Sequence, residues 1–168
     1  MGEYFVHSEQ MTVGYDGKPL IKDIEIRLNR GEILTLIGPN GAGKSTILKS
    51  LTRQLKLSGT VYLDQELMSH MSGKEVARKL AVVTTERIRP ELMTCEDIVA
   101  TGRYPYTGTL GILSKEDWEK VHNAMEMVHA LEFKDRDFTA ISDGQRQRIL
   151  LARAICQEPE IIVLDEPT

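Results

Sequence analysis

The residues with the clearest chemistry form one run, Gly38-Pro39-Asn40-Gly41-Ala42-Gly43-Lys44-Ser45-Thr46. It reads G-x-x-x-x-G-K-S, a spacing that wraps a polyphosphate. The glycines let the main chain turn without Cβ clashes. Successive N–H groups and the N-terminus of the next helix then face the anion. Lys44 reaches the terminal phosphates, and the Ser45 hydroxyl offers one Mg²⁺ position. Two acids, Asp165 and Glu166, follow the apolar run Ile161-Ile162-Val163-Leu164. Alone, that is an ordinary strand end. Downstream of a phosphate loop it is the pattern of a strand delivering acids to a nucleotide. Asp165 would hold Mg²⁺ through water, and Glu166 would polarise the attacking water.

These residues need elements to hold them. Glu32-Ile33-Leu34-Thr35-Leu36-Ile37 reads as a short strand before the loop, and Ile47 to Leu51 as the start of an amphipathic helix after it. Upstream, residues 3–15 alternate as a strand, and Asp16-Gly17-Lys18-Pro19 is a turn. Ile24, Ile26 and Leu28 alternate with Glu25 and Arg27, which predicts a half-buried strand. The N-terminal part therefore reads as antiparallel strands leading into an α/β core. Downstream come a short strand over Ser58 to Asp64, a capped helix opening at Ser72-Gly73-Lys74-Glu75, and a strand over Ala81 to Thr85. From 86 to 137 the texture turns helical. Thr94 with Asp97, and Ser114 with Asp117, box two helix starts. Thr101 to Gly108 breaks the first helix. Trp118, Val121, Met125 and Val128 recur at helical spacing and read as core. Ser142 takes the cap position of a helix running to about Cys156. Pro159 stops it before the buried strand Ile161–Leu164.

Bulk composition narrows the classes. The chain has 168 residues, 27% charged and 41% hydrophobic, which suits one globular domain. Its net charge of −4 argues against a broad nucleic-acid footprint. No apolar run is long enough to cross a bilayer, and the start has no basic and apolar leader pattern. Cys95 and Cys156 stand far apart, and the four histidines form no ligand cluster. Ordinary reduced thiols in a cytosolic protein are the expectation.

Together the loop, the stretch Ile141-Ser142-Asp143-Gly144-Gln145 and the run Ile161 to Thr168 resemble an ABC-type ATPase, the nucleotide-binding subunit of an ATP-binding-cassette transporter. Other phosphate-loop families lack the Ser142 stretch. More narrowly, Met93 to Gly108 resembles the helical subdomain of importers for iron-siderophores, haem and cobalamin. The resemblance implies an α/β phosphate-loop NTPase core over 1–85 and 138–168, with N-terminal antiparallel strands and an inserted helical subdomain over 86–137. It implies ATP and Mg²⁺ as cofactors and ATP hydrolysis coupled to import. Tyr15 falls where the family stacks an aromatic on adenine. Two subunits would pair head to tail, with Ser142, Asp143, Gly144 and Gln145 completing the partner copy's phosphate site in trans. Transmembrane permease subunits, and indirectly a substrate-binding protein, are the other implied partners, with no nucleic acid. The implied location is the cytoplasmic face of the membrane.

Two departures stand out. The family usually carries Gln where this chain has Glu86, beyond the strand at Ala81–Thr85. A carboxylate there is expected to substitute as the metal-side sensor, alongside Ser45 and Asp165. Asp143 replaces a common Gly. The chain also stops at Thr168, before the family's dimer loop and switch histidine, so the expectation is a C-terminally shortened domain lacking part of its sheet. Rival readings are a soluble ABC-type ATPase acting on DNA or ribosomes, and, for this stretch alone, a module that binds nucleotide without turning it over. A GTPase would carry a guanine-reading Asn-Lys-x-Asp, which the sequence lacks, and a GTPase or small-molecule kinase would leave the Ser142 stretch unexplained.

Overall fold

An alternating run becomes a strand only when neighbours take up its backbone groups. The computed structural model describes residues 4–15, 18–84 and 90–165. Glu86, Glu166, Asp16 and Gly17 lie outside the described residues. By its contacts the chain forms two units, Met1–Val76 and Ala77–Thr168.

The first unit is built on strand β1 (Val6–Tyr15). It pairs antiparallel with β2 (Lys18–Ile24) on one side and with β4 (Leu57–Leu63) on the other. Two short strands extend the sheet, β3 (Arg27–Leu28) against β1 and β5 (Glu66–Leu67) against β4. The buried positions of β1 are Val6 and Ser8, then Met11 and Val13, so the inward parity changes midway. A bulge does this. The pairing with β4 shifts between Glu9 and Thr12, where Gln10 has a φ of 49°. One extra residue turns both halves of the strand to the same face. Opposite it, a Cβ on Gly59 (φ 87°) would overlap the Gln10 carbonyl.

The expected strand over Ile24 to Leu28 is interrupted. Its alternation holds, with Ile26 buried and Glu25 and Arg27 exposed. However, β2 ends at Ile24 and β3 begins at Arg27. The fully buried Ser8 hydroxyl spans the gap, donating to the Ile24 carbonyl (3.1 Å) and accepting the Ile26 N–H (2.8 Å). A side chain replaces a ladder bond that the bulged β1 cannot supply.

The expected strand over Glu32–Ile37 is not formed. Those residues have no regular structure, and Ile33 and Ile37 are 93% and 92% exposed. Among the described residues no strand pairs with them, and β-propensity alone does not hold an isolated segment extended. Helix α1 (Lys44–Leu51) follows, as expected.

Helix α2 (Gly73–Lys79) begins in the first unit and leads straight into β6 (Leu80–Thr84) of the second. The Ser72–Glu75 box is present, with the Ser72 N–H on Glu75 (2.6 Å) and the Glu75 N–H on the Ser72 hydroxyl (3.2 Å). Strand β6 pairs in parallel with β7 (Ile161–Asp165), Leu80 opposite Ile161 through Thr84 opposite Asp165. Strand β7 is less buried than its apolar sequence implies. Val163 is covered, but Ile162 and Leu164 are 39% and 47% exposed. Among the described residues β6 is its one partner, so its other edge and one face have no cover.

Helices α3 (Cys95–Ala100), α4 (Lys115–Met127) and α5 (Asp143–Cys156) pack around Val99, Val121, Met125, Phe138 and Ile149. Trp118 and Val128 lie against this core. The Thr94–Asp97 and Ser114–Asp117 capping boxes are both formed. After α3 the chain tightens into a 3₁₀ turn over Thr101–Tyr106. Gly102 is placed there because a Cβ would overlap the carbonyl oxygen of Arg153 on α5. Gly102→Ala is expected to lower stability by about 1–3 kcal/mol, read from the urea midpoint, because helix backbone cannot yield to the added methyl.

Next to Gly102, Arg103 is almost wholly buried, at 3% exposure. Its Nε donates to Asp117 (2.9 Å), and its Nη1 donates to Glu158 and to the Cys156 carbonyl (both 2.8 Å). Its guanidinium also lies 4.0 Å from the Tyr106 ring centre. Lys120 adds a second cation on Glu158 (2.7 Å). One side chain thus joins the 3₁₀ turn, the start of α4 and the end of α5.

Candidate functional site

The phosphate loop lies in the first unit. The chain enters it through the irregular stretch ending at Pro39 and turns twice through left-handed backbone, at Gly41 (φ 81°) and Gly43 (φ 89°). A side chain at either position would strain the turn. Gly43 is also the cap of α1, and having no side chain it makes no cap hydrogen bond. No acid sits in the first turn of α1 either. The helix opens on N–H groups that no cap or acid answers, which is the electrostatics of an anion site.

Lys44 is the first residue of α1, and its side chain folds back over the loop. Its Nζ donates to the carbonyls of Gly38 and Pro39, each at 2.9 Å. The ammonium is therefore already held above the loop, in bonds to exposed carbonyls that water can replace. Asn40 and Ala42 are exposed on the loop, and Ser45 is half-buried beside Lys44. Thr46 is buried, and its Oγ1 lies 3.2 Å from the hydroxyl of Tyr15 at the end of β1. Tyr15 itself is 50% exposed. The Tyr15–Thr46 pair escaped the sequence reading, since 31 positions separate them and nothing local announces it.

Two further parts lie in the second unit. Ser142 caps α5 with a reciprocal box: its Oγ accepts the Gln145 N–H (3.3 Å) and its own N–H donates to Gln145 Oε1 (2.9 Å). A hydroxyl that accepts one bond still has its proton to donate. Asp143 pairs with Arg146 on the next turn. A Cβ on Gly144 would meet nothing within 4 Å, so this end of α5 is open. Asp165 is the last residue of β7, level with Thr84 at the end of β6. The carboxyl ends of the two parallel strands thus share one edge, the edge where open α/β sheets take ligands.

These residues suit a magnesium-bound polyphosphate in kind. The loop offers N–H donors and one ammonium to an anion. Ser45 and Asp165 offer hard oxygen donors of the type Mg²⁺ takes. Among the described residues no group of three or more His, Cys, Asp or Glu is placed to hold a metal. Few protein ligands, completed by water and phosphate, is the usual manner of Mg²⁺.

A phosphate loop opening α1, a boxed serine opening α5 and an acid at the end of a parallel strand define a nucleotide-binding α/β protein. The model of the ABC transporter family matches residues 21–168, and the chain belongs to that family. It is 44% identical over 162 residues to an uncharacterized ABC transporter ATP-binding protein of Methanocaldococcus jannaschii, covering 96% of this chain and 56% of that protein. It is 38% identical over 162 residues to the iron(3+)-hydroxamate import ATP-binding protein FhuC of Bacillus subtilis, covering 96% and 60%. Among solved structures it is similar to a chain described as an inward-facing conformation of a putative metal-chelate type ABC transporter. There the TM-score is 0.82 at 28% identity, covering 99% of this chain and 61% of that one. The chain spans a little over half the length of these relatives.

Proposed function

We propose that this chain binds ATP and, within the whole subunit, hydrolyses it to power an ABC importer of iron complexes (siderophore or haem) or of cobalamin. The observation that carries the reading is the loop. Two left-handed glycines lead into an uncapped helix N-terminus, and the first helical residue is a lysine held over the loop. Lys44 exchanges its carbonyl partners for phosphate oxygens. The loop N–H groups take the bridging phosphates, and the Tyr15 ring takes the adenine.

Ser142, Asp143, Gly144 and Gln145 serve the nucleotide of a second, head-to-tail copy. The free proton of the Ser142 hydroxyl and the open space at Gly144 support this. Ser45, Asp165 and Glu86 are the Mg²⁺ ligands. Bound there, Mg²⁺ would neutralise charge on the phosphates. Glu166 accepts the proton of the attacking water. The subunit sits on the cytoplasmic face of the membrane against permease subunits, which receive cargo from a substrate-binding protein. Import is favoured over a soluble role on DNA or ribosomes by the relatives' names, which include iron(3+)-hydroxamate and ferric enterobactin transport.

Lys44→Ala tests the reading. It is expected to weaken ATP binding about 10- to 100-fold, the worth of a hydrogen bond from a charged donor. The melting temperature without nucleotide should hold, since the two carbonyls it frees are exposed. Titration calorimetry on the intact protein decides; unchanged ATP affinity would overturn the assignment of the site.

A further inference from the structure

The Tyr15–Thr46 contact ties the end of β1 to the first turn of α1, and both ends of it are fixed. At one end, the Tyr15 backbone is held by its pairing with Lys18 across the β1–β2 hairpin. Just before it, a Cβ on Gly14 would overlap the Lys18 carbonyl, so the strands close tightly there. At the other end, Thr46 is buried in the first turn of α1, two residues beyond Lys44. The 3.2 Å hydroxyl pair spans the two. A tyrosine has two side-chain torsions, so anchoring both backbone and hydroxyl leaves the ring little freedom. The residue is still 50% exposed. A planar aromatic surface is thus held at a set distance from the helix N-terminus that opens on the phosphate loop.

We propose that the Tyr15–Thr46 hydroxyl pair is a positioning link. It fixes the separation between the ring that receives a nucleobase and the loop that receives the phosphates. The site thereby prefers a nucleoside triphosphate over a bare polyphosphate. The proposal rests on the nucleotide reading above and adds a role for two hydroxyls. Ring stacking alone needs neither, because phenylalanine stacks as well as tyrosine. The link lowers the ordering cost of binding a ligand with two ends, which is the general source of affinity from preorganisation.

The test compares MgATP and magnesium tripolyphosphate by titration calorimetry on the intact protein, Tyr15→Phe, Thr46→Val and the double variant. Tyr15→Phe is expected to weaken MgATP about 3- to 10-fold, the scale of one hydrogen bond, and to leave tripolyphosphate unchanged. Thr46→Val also alters the phosphate loop and should weaken MgATP at least as much. The double variant should be no weaker than Thr46→Val alone, because Tyr15→Phe then removes a link already lost. Unchanged MgATP affinity in Tyr15→Phe overturns the link. So do losses that multiply in the double variant. Should Thr46→Val not fold, Tyr15→Phe decides alone, its side chain being half-exposed. An unaltered protein that binds neither ligand overturns the nucleotide reading, and the link with it.

Discussion

Arg103→Ala is expected to lower stability by about 3–5 kcal/mol at neutral pH, the cost of removing one partner from a buried charge cluster. Asp117 would lose the cation on its Oδ1, and the Cys156 carbonyl would lose a donor in the core. Glu158 keeps Lys120, so its loss is partial. The pH dependence gives the change a signature. Burial alone would raise the Asp117 carboxyl, but the Ser114 N–H and hydroxyl and the Arg103 guanidinium outweigh it and hold it below its ordinary value. Glu158 is held low chiefly by Lys120, against some burial, and then by Arg103. A carboxylate depressed in the folded state contributes its stability above the unfolded pKa, near 4. That contribution is lost as pH falls through the folded value. Urea unfolding of the unaltered protein should therefore weaken steeply below about pH 4. In Arg103→Ala the slope there should be shallower, because both carboxyls move back toward their ordinary values. Equal slopes, or a loss under 1 kcal/mol, would show that the cluster does not hold the helices.

The second large effect is chemical. In the role proposed for it, Glu166→Gln is expected to cut ATP turnover in the proposed transporter by about 10²- to 10⁴-fold, the usual worth of a general base. ATP binding should be retained. Glutamine keeps the size of the side chain but cannot accept the proton of the attacking water. Asp165, one residue earlier in the sequence, ends β7 at the carboxyl edge shared with β6, the edge where open α/β sheets take ligands. Steady-state ATPase rates beside equilibrium ATP binding separate the two effects. Retained turnover would assign the base elsewhere.

What was legible in the sequence was local. Three serine or threonine boxes, at Ser72, Thr94 and Ser114, and the cap at Ser142 each announce a helix start, and all four are formed, the last also as a box. The phosphate loop was legible because its glycines and lysine are consecutive. The errors concern neighbours far along the chain. Glu32–Ile37 has the composition of a strand, but a strand also needs a partner, and composition does not supply one. Ile162 and Leu164 read as buried for the same reason. The bulge at Gln10 was invisible because its cause lies in the register with β4. The Arg103 cluster spans separations of 14 and 55 residues. Its one local clue was an arginine beside a glycine in a helix break, where a surface turn has no need of either. For the candidate site the residue types were readable, whereas the Lys44 contacts and the Tyr15–Thr46 pair came only with the fold.

The box at Ser142 has a consequence for how such stretches are weighed. Gln145 holds the serine's backbone N–H, and the serine oxygen holds the N–H of Gln145. Each contact joins one residue's side chain to the other's backbone N–H, so a substitution at either position removes one bond and leaves the donor of the other in place. The two letters therefore contribute separately to one geometry, an oriented hydroxyl at the mouth of α5. Gly144 between them takes no side-chain part in either bond, and a Cβ there would meet nothing within 4 Å.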